Sequence, residues 1–332
     1  MGMIFVTGAN GFVGQRVCRS LQAAGCGVRG AVRHISGLNE VHAAEALDAK
    51  DVVQVGNIDG ATDWSLALDG IDTVVHLAAR VHVIQEVSKN PLESFRSVNV
   101  NGTERLARMA IKNGVKRFVY ISSISIHGNS TEERAYVEDD QAHPHSPYAV
   151  SKWEGELILK KIAAESRLEL VIVRPPLVYG AGVGGNFLRL MQLAHKGLPL
   201  PLKSIKNRRS FIGIENLADL IVHCVVNSSA AGETFVASDG EDLSTPDLIS
   251  RVAKLMGRRA RLFPVPVSIL RALGRVSGKE DVLDRLCNSL CVDASKARSV
   301  LNWKPRIPLD MGLERTVRWY MDRYQGGRIS VL

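Results

Sequence analysis

The sequence predicts a doubly wound α/β fold around a parallel sheet, with a smaller carboxy-terminal substrate lobe. Three observations carry that prediction. Short β-branched runs alternate with helical stretches through the first half of the chain, and a glycine-rich turn joins the first strand to the first helix. The 332 residues also exceed the length, about 250 to 300, at which a single core stops growing.

Taken in order, Met3 to Thr7 reads as a strand, Phe12 to Ala24 as an amphipathic helix, and Val28 to Val32 and Val52 to Val55 as further strands. Thr73 to Leu77 is a strand, Leu92 to Asn113 a helix, Arg117 to Ser122 a strand, Tyr148 to Glu165 a helix and Leu168 to Val173 a strand. Strands separated by helices need crossover connections, so the sheet is parallel and covered on both faces. After Arg174-Pro175-Pro176 the rhythm loosens, with helices expected at Phe187 to His195, Leu217 to Val226, Thr245 to Met256 and Met311 to Tyr324. The resulting division is a dinucleotide-type domain over 1–174 with a return segment near 210–237, and a second lobe from 175–209 and 238–332. No repeat of solenoid period is present, and the tail beyond Tyr324 is expected to fray.

Composition narrows the classes. No stretch reaches the ~18 uninterrupted apolar residues of a membrane span; the nearest, Leu217 to Val226, is broken by Asp219 and His223. The start lacks an export leader, and Val6 stands where a myristoylation signal needs Ser or Thr, so a cytoplasmic protein is expected. Cys18, Cys26, Cys224, Cys287 and Cys291 have no zinc-ligand spacing and read as reduced thiols, with no metal. A net charge of +8 suits an anionic ligand, a nucleic acid or an acidic membrane surface equally well.

The sharpest motif is Val6-Thr7-Gly8-Ala9-Asn10-Gly11-Phe12-Val13-Gly14, with glycines at i, i+3 and i+6 between a strand and a helix. Gly8 permits the turn, Gly11 lets backbone approach a pyrophosphate and Gly14 lets helix and strand pack closely, while free N–H groups and the helix dipole favour phosphate. Beyond the second strand, Val32 and Arg33 occupy the place of the carboxylate that binds the ribose 2′-OH of NAD. Arg33 suits the 2′-phosphate of NADP, so the expected cofactor is NADP or NAD, with NADP preferred.

Tyr148 and Lys152 stand at i and i+4 of a helix, where a cation favours the phenolate and makes proton exchange with a sugar hydroxyl feasible. Ser122 and Ser123 close the upstream strand, at the edge where parallel sheets place ligands. Ser123 is therefore the expected hydrogen-bond partner of a substrate oxygen.

These residues resemble the extended short-chain dehydrogenase/reductases of the nucleotide-sugar epimerase/dehydratase type, over nearly the whole chain. Val75 to Ala79, Asn99 to Thr103, Arg174-Pro175 and Leu301 to Pro305 share the likeness. It implies a Rossmann domain in which Gly8, Asn10, Gly11, Phe12, Val13, Gly14, Arg33, Asn57, Ile58, Leu77, Ala78, Ala79, Asn99, Tyr148, Lys152 and Pro175 line the cofactor. It further implies a catalytic Ser123, Tyr148 and Lys152, with Asn186, Arg209 and Arg285 joining Ser123 around a UDP-sugar. Lys203, Lys206 and Arg208 read as a basic exposed loop, and Arg258, Arg259 and Arg261 as a solvated turn.

Departures from the family pattern select among reactions. Ser123-Ile124-Ser125 replaces the Thr-Asp-Glu of 4,6-dehydratases, so dehydration is not expected. UDP-galactose epimerases usually carry an acid at Val32, a lysine at Val81 and a tyrosine at His127, and these absences loosen the expected grip on a permanent NAD. Ala78 to Val83 and Ser238 to Asp242 resemble a bacterial surface-polysaccharide subgroup of 4-epimerases and 4-keto reductases. The preferred expectation is reduction of a UDP-4-keto-6-deoxy-N-acetylhexosamine, with UDP-glucose or UDP-N-acetylglucosamine 4-epimerisation as the alternative. A non-enzymatic NADP sensor is the contrasting class, disfavoured because Tyr148 and Lys152 are both present. No nucleic-acid module is evident, and a homodimer through the Leu92 to Asn113 and Trp153 helices is conceivable by resemblance.

Overall fold

A computed structural model describes residues 2–34, 47–48, 51–81, 90–278 and 280–325. Seven strands form one sheet: β1 (Met3–Thr7), β2 (Gly27–Val32), β3 (Val52–Gln54), β4 (Thr73–His76), β5 (Arg117–Ile121), β6 (Glu169–Arg174) and, after the short pair β7 (Leu177–Tyr179) and β8 (Phe211–Gly213), β9 (Thr234–Val236). Their order is β3-β2-β1-β4-β5-β6-β9, and every pairing is parallel. The strand order reverses between β1 and β4, which is where a doubly wound sheet opens a ligand crevice.

Both faces are sealed by apolar side chains. On one, Val17, Cys18 and Leu21 of α1 (Phe12–Ala23) and Leu217, Leu220, Ile221 and Cys224 of α6 (Ile214–Val226) pack on β1, β4 and β6. On the other, α3 (Thr103–Lys112) and α4 (Pro147–Ala164) pack with Trp64 on Phe5, Phe118 and Tyr120. Strands covered on both faces are apolar nearly throughout, so they lack the alternation of a half-exposed strand.

The expected helix from Leu92 to Asn113 is interrupted. It begins as α2 (Pro91–Arg96), widens into a π-helical turn over Ser97–Gly102, and continues as α3. At Gly102 a Cβ would stand 2.6 Å from Ile58 Cγ2, so glycine lets this turn lie against the 57–59 loop. Gly155 does the same for α4: a Cβ there would fall 2.8 Å from the Asn99 carbonyl oxygen. Widened turns of this kind re-aim side chains.

The second lobe contains the parallel pair β7–β8, α5 (Gly185–Lys196), α7 (Thr245–Leu255), α8 (Val267–Val276), α9 (Glu280–Cys287) and α11 (Leu309–Gln325), whereas Ala297 and Leu301 of α10 (Ser295–Leu301) pack into the core of the main sheet. Tyr179, Phe187, Met191, Val252, Leu313 and Tyr320 form its main core. Within 210–237, β8 pairs with β7 outside the main sheet, α6 covers that sheet and β9 extends it. Three cysteines are buried and two half-buried, all free. No described helix is long and apolar enough to cross a membrane, and no metal-binding cluster occurs among the described residues.

Candidate active site

The glycine turn is built as the spacing requires. Gly8 has φ +67°, and a Cβ on Gly14 would lie 2.0 Å from the Gly8 carbonyl oxygen, so no side chain fits there. Gly11 caps α1 in an extended conformation without a side-chain hydrogen bond, and the first turn carries no acidic residue. The N–H groups of that turn are left without side-chain partners, as at helix ends that bind anions. Asn10 is exposed, whereas Phe12 and Val13 are partly buried and pack into the second lobe and the sheet core.

Register aligns Thr7 of β1 with His76 of β4, and His76 with Tyr120 of β5. The Thr7 hydroxyl accepts from the Leu77 and Ala78 N–H groups, both at 3.1 Å. With both lone pairs used, it donates to His76 Nδ1 at 2.7 Å, which leaves the proton on Nε2 to be donated to Thr103 at 2.9 Å. Burial, then the charge of Lys152, pushes His76 down to about 3, so it is neutral. This chain fixes the Leu77-Ala78-Ala79 wall of the crevice. Asn99, in the π turn, holds the next residue: its oxygen accepts the Arg80 N–H at 2.8 Å, and its amide donates to the Arg80 carbonyl and to Ser151. Its amide thus joins that wall to α4, an arrangement invisible in the spacing of the sequence.

At the other wall, Ser123 follows β5 and caps a 3-10 turn over Ile124–Ile126. Its Oγ accepts the Ser125 N–H at 3.2 Å, lies 2.9 Å from Ser125 Oγ and is close enough to the Tyr148 phenol to favour its ionised form. Ser146 caps α4 and Pro147 opens it, which sets Tyr148 in its first turn and Lys152 one turn on. The phenol ring stands edge-on to Phe95, with centroids 6.2 Å apart. Lys152 is buried, its ammonium 4.0 Å above the Tyr120 ring.

The electrostatics differ from the sequence expectation, in which the ammonium lowers the phenol. Burial pushes Tyr148 up to about 12, opposed by the nearby Ser123 hydroxyl, whereas burial pushes Lys152 down to about 7, opposed by Glu156. Desolvation sets both directions, although Lys152 is buried whereas Tyr148 is only half-buried. Glu156 is the third residue of this helical row and forms a buried bidentate pair with Arg174, at 2.6 and 3.0 Å. Arg174 also donates to the Glu138 carbonyl at 2.6 Å and to His127 Nε2 at 3.0 Å.

The other expected positions fall around this crevice or in the second lobe. Arg33 is exposed beyond β2. Asn57 is exposed, and Ile58 packs against the core. Pro175 is buried and its carbonyl accepts the Ile124 N–H at 3.1 Å, pinning the serine turn to β6. Asn186 is exposed in the first turn of α5. Arg209 donates to the Arg285 and Asn288 carbonyls at 3.0 and 3.1 Å, and its guanidinium is lowered by burial and by the charge of Arg285. Two such cations side by side favour an anion. The Leu290–Val292 segment runs between Arg208–Ser210 and the loop at Thr131–Tyr136 that follows the serine turn. That backbone ladder joins the arginine pair to the Ser123 wall. Ser125 and the Glu156–Arg174 pair were not expected; their signal is chain proximity to Ser123 and the i+4 step beyond Lys152. His82 and Val83 lie outside the described residues, as does the tail beyond 325.

Comparison with known proteins agrees with this geometry. Residues 4–238 match the model of the NAD dependent epimerase/dehydratase family. The chain is 40% identical over 321 residues to a UDP-glucose 4-epimerase of Vibrio cholerae, covering 96% of this chain and 95% of that one. It is 26% identical to the N-acetyl-alpha-D-glucosaminyl-diphospho-ditrans,octacis-undecaprenol 4-epimerase of Escherichia coli O157:H7, over 95% and 94% of the two chains. The UDP-glucuronic acid 4-epimerase of Bacillus cereus, solved with UDP-glucuronic acid and NAD, superposes with a TM-score of 0.78 at 25% identity, covering 97% of this chain and 100% of that one. The chain belongs to the NAD dependent epimerase/dehydratase family and is an enzyme of the extended short-chain dehydrogenase/reductase type.

Proposed function

We propose that the protein interconverts UDP-hexoses epimeric at C4, using NAD held in the glycine-turn crevice. The observation that carries this reading is the juxtaposition of Ser123 and Tyr148 at the same sheet edge as an uncapped glycine turn, with Lys152 one helical turn away. The 40% identity to a UDP-glucose 4-epimerase supports the substrate class and favours epimerisation over the reduction preferred from sequence.

The residues present suit the dinucleotide. Gly8, Gly11 and Gly14 give a cradle that a Cβ would fill; Asn57 and Ile58, just beyond β3, would meet the adenine, and Lys152 would hold the nicotinamide ribose. When bound, NAD supplies the hydride acceptor and donor at sugar C4. The chain handles the proton. Tyr148 removes it from the C4 hydroxyl and returns it after the 4-ketose has presented its other face, and Ser123 holds the C4 oxygen through both steps. With one lone pair taken by the Ser125 N–H, Ser123 keeps one proton and one lone pair, which would turn from Ser125 Oγ to the C4 oxygen and Tyr148 when the sugar binds. Arg209 and Arg285 would bind the diphosphate and Asn186 would add a donor.

Arg33 and the missing carboxylate favour the second reading, in which NADPH is exchanged at each turnover to reduce a UDP-4-keto sugar. Release and identification of the copurified cofactor separates the two. Bound NAD with interconversion of UDP-glucose and UDP-galactose, or of their N-acetylamino counterparts, is the expected result. NADPH oxidation by a UDP-4-keto-6-deoxy-hexosamine, without epimerisation, would refute it.

A further inference from the structure

Every charged residue from Lys254 to Lys279 is basic, so most of the net charge of +8 arises in one short segment of the second lobe. Arg258, Arg259, Arg261, Arg271 and Arg275 are all exposed. The segment also exposes apolar surface. On α8, Ile269, Leu273 and Val276 are 50%, 60% and 90% exposed, and their i, i+4, i+7 spacing places them in one stripe. Phe263 before the helix and Val282 on α9 are 43% and 49% exposed.

The stripe is not the face that holds α8 to the protein. Leu270 and Gly274 do that: Leu270 is buried among Leu202, Ile205 and Ile249, and a Cβ on Gly274 would strike Leu283 of α9. At 100° per residue, the exposed stripe lies between this buried side and a polar side bearing Ser268, Arg271 and Arg275. The apolar arc of α8 is therefore wider than the protein covers. Ala260, Leu262, Val265 and Val267 pack into the same small cluster, which ties the basic run before α8 to the helix itself. Acidic neighbours stand on α9 at Glu280, Asp281 and Asp284, and Glu280 is paired with Arg275 at 3.1 Å.

We propose that α8 and the run leading into it form an interfacial docking surface for an anionic lipid bilayer. Ile269, Leu273 and Val276 would enter the acyl boundary, and the flanking arginines would meet the headgroups. Charge complementarity selects the occupant: an apolar stripe bordered by basic residues matches an anionic membrane surface, where each such residue adds about five-fold to binding. Arg285, whose carbonyl holds Arg209, is on the helix packed against α8, so docking would bring the arginine pair close to the bilayer. The proposal does not depend on the reaction catalysed.

The test is flotation of the full chain with vesicles of phosphatidylcholine alone or doped with phosphatidylglycerol. Binding to the doped vesicles should exceed binding to neutral ones by about ten-fold and should weaken in high salt. Leu273→Glu/Val276→Glu, at exposed positions that leave the core intact, and Arg271→Gln/Arg275→Gln should each reduce flotation at least about ten-fold while turnover of a soluble UDP-sugar is unchanged. Leu66→Glu, at a 90% exposed site on the first domain, should change nothing. Absence of flotation with doped vesicles, flotation insensitive to both α8 variants, or an α8 variant that converts a lipid-free dimer to monomer would each overturn the proposal.

Discussion

Replacing Glu156 by Gln removes the charge of a carboxylate that is fully buried and bound bidentately by Arg174, itself 2% exposed. The remaining partners of the guanidinium, the Glu138 carbonyl and His127 Nε2, are neutral and do not replace it. An uncompensated buried cation costs about 3 to 5 kcal/mol. With a urea dependence of about 3 kcal/mol per M, the unfolding midpoint should fall by about 1 to 1.7 M. The same change reaches the site, because Glu156 is the charge that raises Lys152 against the desolvation holding it at about 7. Without Glu156, Lys152 loses its proton at lower pH, so the alkaline limb of log kcat/KM should move down. Urea titration by circular dichroism and a pH–rate profile on the folded variant read the two effects separately. A stability loss below about 1 kcal/mol, or a midpoint loss with an unmoved alkaline limb, would refute the coupling between the pair and Lys152.

Further outcomes follow from the same geometry. Tyr148→Phe should lower kcat about 10²- to 10⁴-fold with unchanged thermal unfolding, since it deletes only the proton carrier; turnover within ten-fold of wild type would contradict the assignment. Ser125→Ala removes the hydroxyl 2.9 Å from Ser123 Oγ and should shift the acidic limb of the rate profile upward, because the phenolate loses a supporting donor; Ser125→Thr should restore it. Gly14→Ala places a methyl against the Gly8 carbonyl and should abolish cofactor retention, measured by absorbance of the purified protein, while the sheet still folds. His76, whose folded value near 3 lies below its unfolded 6.5, contributes stability present above pH 6.5 and lost as pH falls toward 3. Between pH 6.5 and 5 that single group should cost about 2 kcal/mol, and His76→Asn should flatten this part of the stability profile.

The first domain was legible because its signals are local and periodic. β1 runs from Met3 to Thr7 as its residues predict, and the helix bearing Tyr148 is marked by Ser146-Pro147, a cap and a first-turn proline. Glycine spacing located the turn between β1 and α1 for the same reason: Gly8 has a positive φ and Gly14 leaves no room for a Cβ. The second lobe was harder to read. β7, β8 and β9 have three residues each, too few to show a period, and their pairing depends on partners distant in sequence. The π turn hides inside a continuous helical pattern, yet it is what swings Asn99 toward Arg80 and Ser151. Spacing placed Tyr148 and Lys152 on one helix but not their charge states, which depend on how deeply the sheet edge covers them. Arg258, Arg259 and Arg261, ordinary as a solvated turn, gain meaning only beside the exposed stripe of α8.

The most direct measurement uses UDP-glucose carrying deuterium at C4. Mass spectrometry of the products should show UDP-galactose that keeps the deuterium at C4 without exchange into water, and Tyr148→Phe should suppress its formation. Wash-out of the label, or no epimer from either UDP-glucose or UDP-N-acetylglucosamine with NAD bound, would contradict oxidation and return of hydride at C4 in this crevice.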